Sequence, residues 1–293
     1  MNPLPAQPVS HTVTHKGLRL HHVEWGAPGG DALVMLNGIR LHAHCWGHFG
    51  RRFAGGYRVL ALDARGHGES DWARPEDYHL QDFYEDLHAV LKSRNLPPVT
   101  LIGHSLGARV AMLYTHLHPQ GVARLVLVDM GPGLPAAALN RDFSRVTETP
   151  QPQEFGSHEE AVDYLAALLS RAPREMIEES VRHGMRPSGD GKFTWRYDPA
   201  LGGVPLSHKD KREWDLWQVV ETIACPTLLV YGADSRVVTP DIAGKVARIM
   251  PDCRVERIEN AGHALFTEQP EEFARSVGRF LDETSKAAQA AIR

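Results

Sequence analysis

Short apolar runs separated by glycine, aspartate and asparagine set the rhythm of this chain. Ala32 to Leu36, Arg58 to Leu62, Val99 to Ile102, Leu125 to Val128, Thr227 to Tyr231 and Arg254 to Ile258 are continuous and rich in branched side chains. Runs of that kind suit strands buried on both faces, as in a parallel sheet. Ahead of them, Thr12 to His15 and Leu18 to Trp25 flank Lys16-Gly17 and predict a hairpin. Between the runs the period changes from two to 3.6: Phe83, Leu87, Val90 and Leu91 share one helical stripe, as do Phe273, Val277, Phe280 and Leu281. Strand and helix alternate, so the fold class is α/β, doubly wound and led by antiparallel strands.

One interval breaks the alternation. From Gly133 to Trp214 no buried-strand run occurs. Ser157 to Glu160 reads as a capping box opening a helix with Ala161, Val162, Leu165, Leu168 and Leu169 on one side. A second helix starts near Pro173 and carries Met176, Ile177 and Val181. Pro187 to Gly191 marks a loop before Phe193 to Tyr197, and Trp214 and Trp217 belong to a further helix. The expectation is a core domain made of 1–132 and 215–293, with 133–214 inserted as a helical cap over the C-terminal ends of the strands, where open α/β sheets bind ligands.

The chemistry begins at Gly103-His104-Ser105-Leu106-Gly107, directly after the run ending at Ile102 and directly before a helical stretch. This is a G-x-S-x-G elbow, a strained strand-to-helix turn that lifts the serine hydroxyl above the sheet at a helix N-terminus. The flanking glycines answer a lack of room for a β-carbon where the two backbones approach. A serine hydroxyl becomes a nucleophile only when a base accepts its proton and an acid orients that base, and for this elbow the chain order is serine, acid, histidine. His263 is the one histidine beyond the last strand. Two aspartates close strands after the serine, Asp129 and Asp234. The oxyanion hole needs two amides, one of them from the residue after the nucleophile, Leu106.

With Leu36-Asn37-Gly38-Ile39, Asp63-Ala64-Arg65-Gly66-His67-Gly68-Glu69-Ser70, the elbow, Tyr231-Gly232-Ala233-Asp234, and Gly262-His263 followed by Glu268-Gln269-Pro270, the chain resembles the cap-bearing branch of the α/β-hydrolase superfamily over nearly its whole length. The resemblance implies a mostly parallel eight-stranded sheet with the cap inserted after strand six. It also implies an acid three residues past the glycine that follows strand seven. Ser235 occupies that place and Asp234 falls one short, whereas some members carry the acid after strand six. Asp129 is therefore the favoured acid and Asp234 the alternative. By the same resemblance the second oxyanion donor is the amide of Ile39, with Asn37-Gly38 in place of the usual His-Gly pair.

Bulk properties narrow the rest. The 293 residues carry a formal net charge of -4 without long basic blocks, which leaves no electrostatic footprint for nucleic acid. No apolar stretch is long enough to span a membrane, and three scattered cysteines suggest neither disulfides nor a zinc cluster. A cytoplasmic enzyme acting on a small molecule is expected, without cofactor or metal; a homodimer is compatible with the pattern but not specified by it. His42, His44 and His48 around Cys45 invite a metal reading, yet no carboxylate lies among them. Arg40, His42 and Trp195 are the candidate substrate contacts, the first two because they follow the oxyanion loop. The reaction expected is hydrolysis of a small carboxylic ester or related acyl compound through an acyl-enzyme. Amide hydrolysis, carbon-carbon cleavage of a diketone and perhydrolysis remain open on the same fold, as does a ligand receptor without turnover.

Overall fold

The computed structural model describes residues 7–133, 152–203 and 214–291. Eight strands form one sheet in the order β1-β2-β4-β3-β5-β6-β10-β11. They are β1 (Val9–His15), β2 (Leu18–Trp25), β3 (Ala32–Leu36), β4 (Arg58–Leu62), β5 (Val99–His104), β6 (Val122–Val128), β10 (Thr227–Gly232) and β11 (Cys253–Ile258). Only β1 with β2 and β2 with β4 pair antiparallel. The expected hairpin lead and parallel body are both present.

Burial follows the runs. β3, β5 and β10 are buried at every position because helices cover both faces of the sheet. On one side pack α2 (Leu80–Ser93), α3 (Leu106–Leu117), α6 (Leu216–Glu221) and α7 (Pro240–Ile249), through residues such as Phe83, Leu87, Val110, Val219 and Val246. On the other pack α1 (Gly47–Phe53) and α8 (Pro270–Ala291), through Phe49, Phe273, Val277 and Phe280. The last run departs from expectation: β11 is an edge strand, with Arg254, Val255 and Glu256 partly or wholly in solvent.

The chain first winds from β3 outward to β4, then returns past β3 to β5 and continues to β6. The reversal lies between β3 and β5. At such a switch point the loops after neighbouring strands diverge and leave a crevice at their C-terminal ends. The loop after β3 holds Ile39 and the turn after β5 holds Ser105.

Between β6 and β10 the chain leaves the sheet. Helices α4 (His158–Leu168) and α5 (Arg174–Gly184) form as anticipated, α4 with Ser157 Oγ accepting the Glu160 amide at 3.1 Å. Leu168, expected on the covered side of α4, is instead 55% exposed. The insertion is not purely helical. β7 (Glu154–Phe155), β9 (Lys192–Trp195) and β8 (Met185–Gly189) make a three-stranded antiparallel sheet. The expected loop at Pro187 to Gly191 is the tip of the β8–β9 hairpin, with Asp190 and Gly191 both at positive φ, the backbone that a two-residue hairpin turn requires. The stretches 134–151 and 204–213 of the expected cap lie outside the described residues.

Polar contacts bind the insertion to the sheet body. Arg51 of α1 forks onto Glu179 of α5 with two hydrogen bonds of 2.7 Å. His42 Nε2 donates to the Ser180 carbonyl at 2.9 Å, and the His44 ring stacks on His183 at 3.7 Å. Burial and the stacked His183 hold His44 down to about 4. Among the described residues no helix is long and apolar enough to cross a membrane.

Candidate active site

Ser105 sits at φ 52 and ψ -116, a backbone conformation a side-chain-bearing residue adopts only when its surroundings force it. The forcing is visible at the two glycines. A β-carbon on Gly103 would lie 2.4 Å from the Gly107 carbonyl oxygen, and one on Gly107 would lie 2.4 Å from that of Leu36. Strand and helix thus pass at a distance only glycine permits, and the residue between them is turned outward. Gly107 N donates to the Asn37 carbonyl at 3.0 Å, tying the elbow to the loop after β3.

That loop runs alongside the serine. Gly38 is packed so closely that a β-carbon there would stand 3.0 Å from Ser105 Cβ and 2.6 Å from His104 Nδ1. Among the described residues the amides of Ile39 and Leu106 take no part in the backbone hydrogen bonds of turns and loops. Leu106 directly follows Ser105, and Ile39 directly follows Gly38, the residue packed against Ser105 Cβ. Asn37, standing where a histidine is usual, donates from Nδ2 to the Leu62 carbonyl at 2.8 Å and so braces the loop from beneath.

His263 lies on the loop after β11, and its Nδ1 is 2.6 Å from Asp129 Oδ2. Because a carboxylate oxygen accepts, Nδ1 carries the proton and Nε2 is left with its lone pair. Three further contacts hold this loop. His104 Nε2 donates to the His263 carbonyl at 2.9 Å, Glu268 Oε2 accepts the Gly262 amide at 2.9 Å, and Asp234 N donates to the Ala261 carbonyl at 2.9 Å. The rings of His104 and His263 have centroids 4.6 Å apart, which brings the imidazole beside the elbow itself. Burial, with His263 close by, holds the His104 pKa well below the ordinary histidine value, so this ring is a neutral prop.

The two candidate acids part company here. Asp129 is completely buried, at φ 48, and its carboxylate receives Gly232 N at 3.1 Å and Ser235 Oγ at 2.6 Å besides the imidazole. Asp234 is one residue short of reaching inward: its side chain is 55% exposed and paired with Arg171 at 2.6 Å. The alternative acid is thereby removed from His263.

Of the expected substrate contacts, His42 is buried at the seam with α5, its Nε2 donating to the Ser180 carbonyl. Trp195 is interior to the insertion, its indole N–H donating to the Pro152 carbonyl and its ring lying against Phe155 and Tyr197. Arg40, directly after Ile39 and at φ 64, places its guanidinium 5.6 Å over the Tyr197 ring, between the oxyanion loop and the insertion. Around Cys45 the histidines diverge: His44 faces His183 and His48 Nε2 lies 3.1 Å from Glu271. Sequence reasoning missed His104, Glu268 and Ser235 as supports. His104 and Ser235 act through partners distant along the chain, whereas Glu268 acts on Gly262, six residues before it.

Residues 33–276 match the model of the alpha/beta hydrolase family. The chain belongs to that family. The sn-1-specific diacylglycerol lipase of Mus musculus is 30% identical to it over 77% of this chain and 72% of that protein. The 2-(acetamidomethylene)succinate hydrolase of Mesorhizobium japonicum is 26% identical over 86% of this chain and 88% of that protein. Among solved structures, an esterase of M. tuberculosis superposes with a TM-score of 0.77 at 27% identity, covering 96% of this chain and 93% of that one. Membership makes this a hydrolase and agrees with the strand order and the elbow.

Proposed function

We propose that the protein is a serine hydrolase that cleaves a small carboxylic ester or related acyl compound through an acyl-enzyme. The observation that carries the reading is the contact between His263 Nδ1 and the buried Asp129 carboxylate beside a serine held on a strained elbow. In this account Ser105 Oγ attacks the acyl carbon while its proton passes to His263 Nε2. Asp129 keeps the imidazole in the tautomer that leaves Nε2 free and stabilises the imidazolium that forms. The amides of Ile39 and Leu106 receive the charge on the acyl oxygen, each worth about 3 kcal/mol in the transition state. His263 then protonates the leaving group, and water, deprotonated by the same nitrogen, releases the acid and restores Ser105.

Residues 152–203 act as the cap in this reading, with Arg40 and Tyr197 at its junction with the oxyanion loop. A guanidinium there suits a substrate bearing a carboxylate near the scissile bond. The succinate-derived amide in the name of one relative makes amide hydrolysis the second reading on the same residues.

The test is a panel of esters, thioesters, amides and diketones, each with and without a carboxylate, assayed with the protein and with Ser105→Ala. Turnover of acyl substrates that disappears in Ser105→Ala supports the proposal. Labelling of Ser105 by a fluorophosphonate with no turnover anywhere on the panel would make the protein a receptor.

A further inference from the structure

Ser235 stands three residues past the end of β10, and its hydroxyl is fully committed. Oγ accepts the amides of Val237 at 3.0 Å and Val238 at 3.2 Å. Its single proton goes to Asp129 Oδ2 at 2.6 Å, the same oxygen that accepts His263 Nδ1–H at 2.6 Å. With both lone pairs taken by amides, the hydroxyl has one direction in which to donate. A chain therefore runs from two backbone amides through Ser235 and Asp129 to the imidazole, each link polarising the next. The other carboxylate oxygen is pinned by Gly232 N at 3.1 Å, so the carboxylate has no freedom to rotate away.

We infer that Ser235 is a positioning residue that orients the Asp129 carboxylate toward His263. The inference rests on the reading of His263 as the base. Its strongest readout is independent of turnover.

The experiment follows kcat and KM on a short p-nitrophenyl ester together with the proton resonance of the His263 Nδ1–H in the resting protein. Ser235→Ala is expected to lower kcat about tenfold at unchanged KM, as loss of one charge-assisted hydrogen bond implies, and to broaden that resonance by exchange. Ser235→Thr, which keeps the hydroxyl, should restore both. A Ser235→Ala protein with wild-type kcat and an unmoved resonance overturns the positioning role. A wild-type protein inert toward esters, yet showing the resonance and its loss in Ser235→Ala, leaves Ser235 in place and removes the hydrolase reading instead.

Discussion

Two aspartates close neighbouring strands, and the protein treats them in opposite ways. Asp129 after β6 is at 0% exposure with three hydrogen-bond donors on its carboxylate; Asp234 after β10 has a side chain 55% exposed and answers to Arg171 in solvent. Both are aspartates just past a strand end, Asp129 one residue beyond β6 and Asp234 two beyond β10. What differs is one step of backbone: Asp129 takes a left-handed φ that turns its side chain into the crevice, while the turn after Gly232 sends Ser235 inward and Asp234 out. A charge kept in the interior must be surrounded by donors, and one left in water needs nothing, so only the first is poised to orient a histidine.

The sharpest way to break the contrast is neutralisation. Asp129→Asn should lower kcat by about 10³ to 10⁴, because an amide in that place favours the wrong imidazole tautomer, whereas Asp234→Asn should stay within about twofold. Steady-state rates on any ester the protein turns over decide it, and equal losses would erase the distinction. Truncation carries the contrast into stability. Asp129→Ala strands the Ser235 hydroxyl and the Gly232 amide and should cost about 3 kcal/mol in urea unfolding, against under about 1 kcal/mol for Asp234→Ala.

Acid sharpens the same divide among the histidines. Burial holds His67 down to about 4, His44 is likewise near 4, and His104 is lower than ordinary. Their folded-state values lie below the unfolded value of 6.5, so the unfolded chain binds more protons and stability falls as pH drops from 6.5 toward 4. His42 runs the other way: against the pull of burial, the adjacent Cys45 and Asp63 raise it to about 9. Its contribution is complete below 6.5 and is lost only as pH rises toward 9, so it does not offset the acid loss. Urea midpoints between pH 7 and pH 4 should decline, and His67→Gln should shallow the decline. A flat profile would mean these rings gain no proton on unfolding.

The features legible in the sequence are those that local physics dictates. Buried parallel strands need continuous apolar runs, and the elbow needs Gly103 and Gly107, so both are written in adjacent residues. His263 followed from chain order, whereas Asp129 and Asp234 both close strands and the family resemblance alone favoured Asp129. The three-stranded sheet of the insertion was hidden because Met185 to Gly189 is buried only at Met185 and carries no alternating apolar signal. His42 could not be placed because its partner, Ser180, lies 138 residues away. Ser235 was noted for the acid it lacks; its hydroxyl's bond to Asp129 spans 106 residues and leaves no local trace.

The proposed mechanism requires that the imidazole of His263 make the hydroxyl of Ser105 reactive. The measurement closest to that claim is the rate at which a fluorophosphonate labels the protein, with the modified peptide identified by mass. A single label on Ser105 is expected, formed at least about 10³-fold more slowly in His263→Ala. A label elsewhere, or one that forms on Ser105 at the wild-type rate without His263, would contradict it.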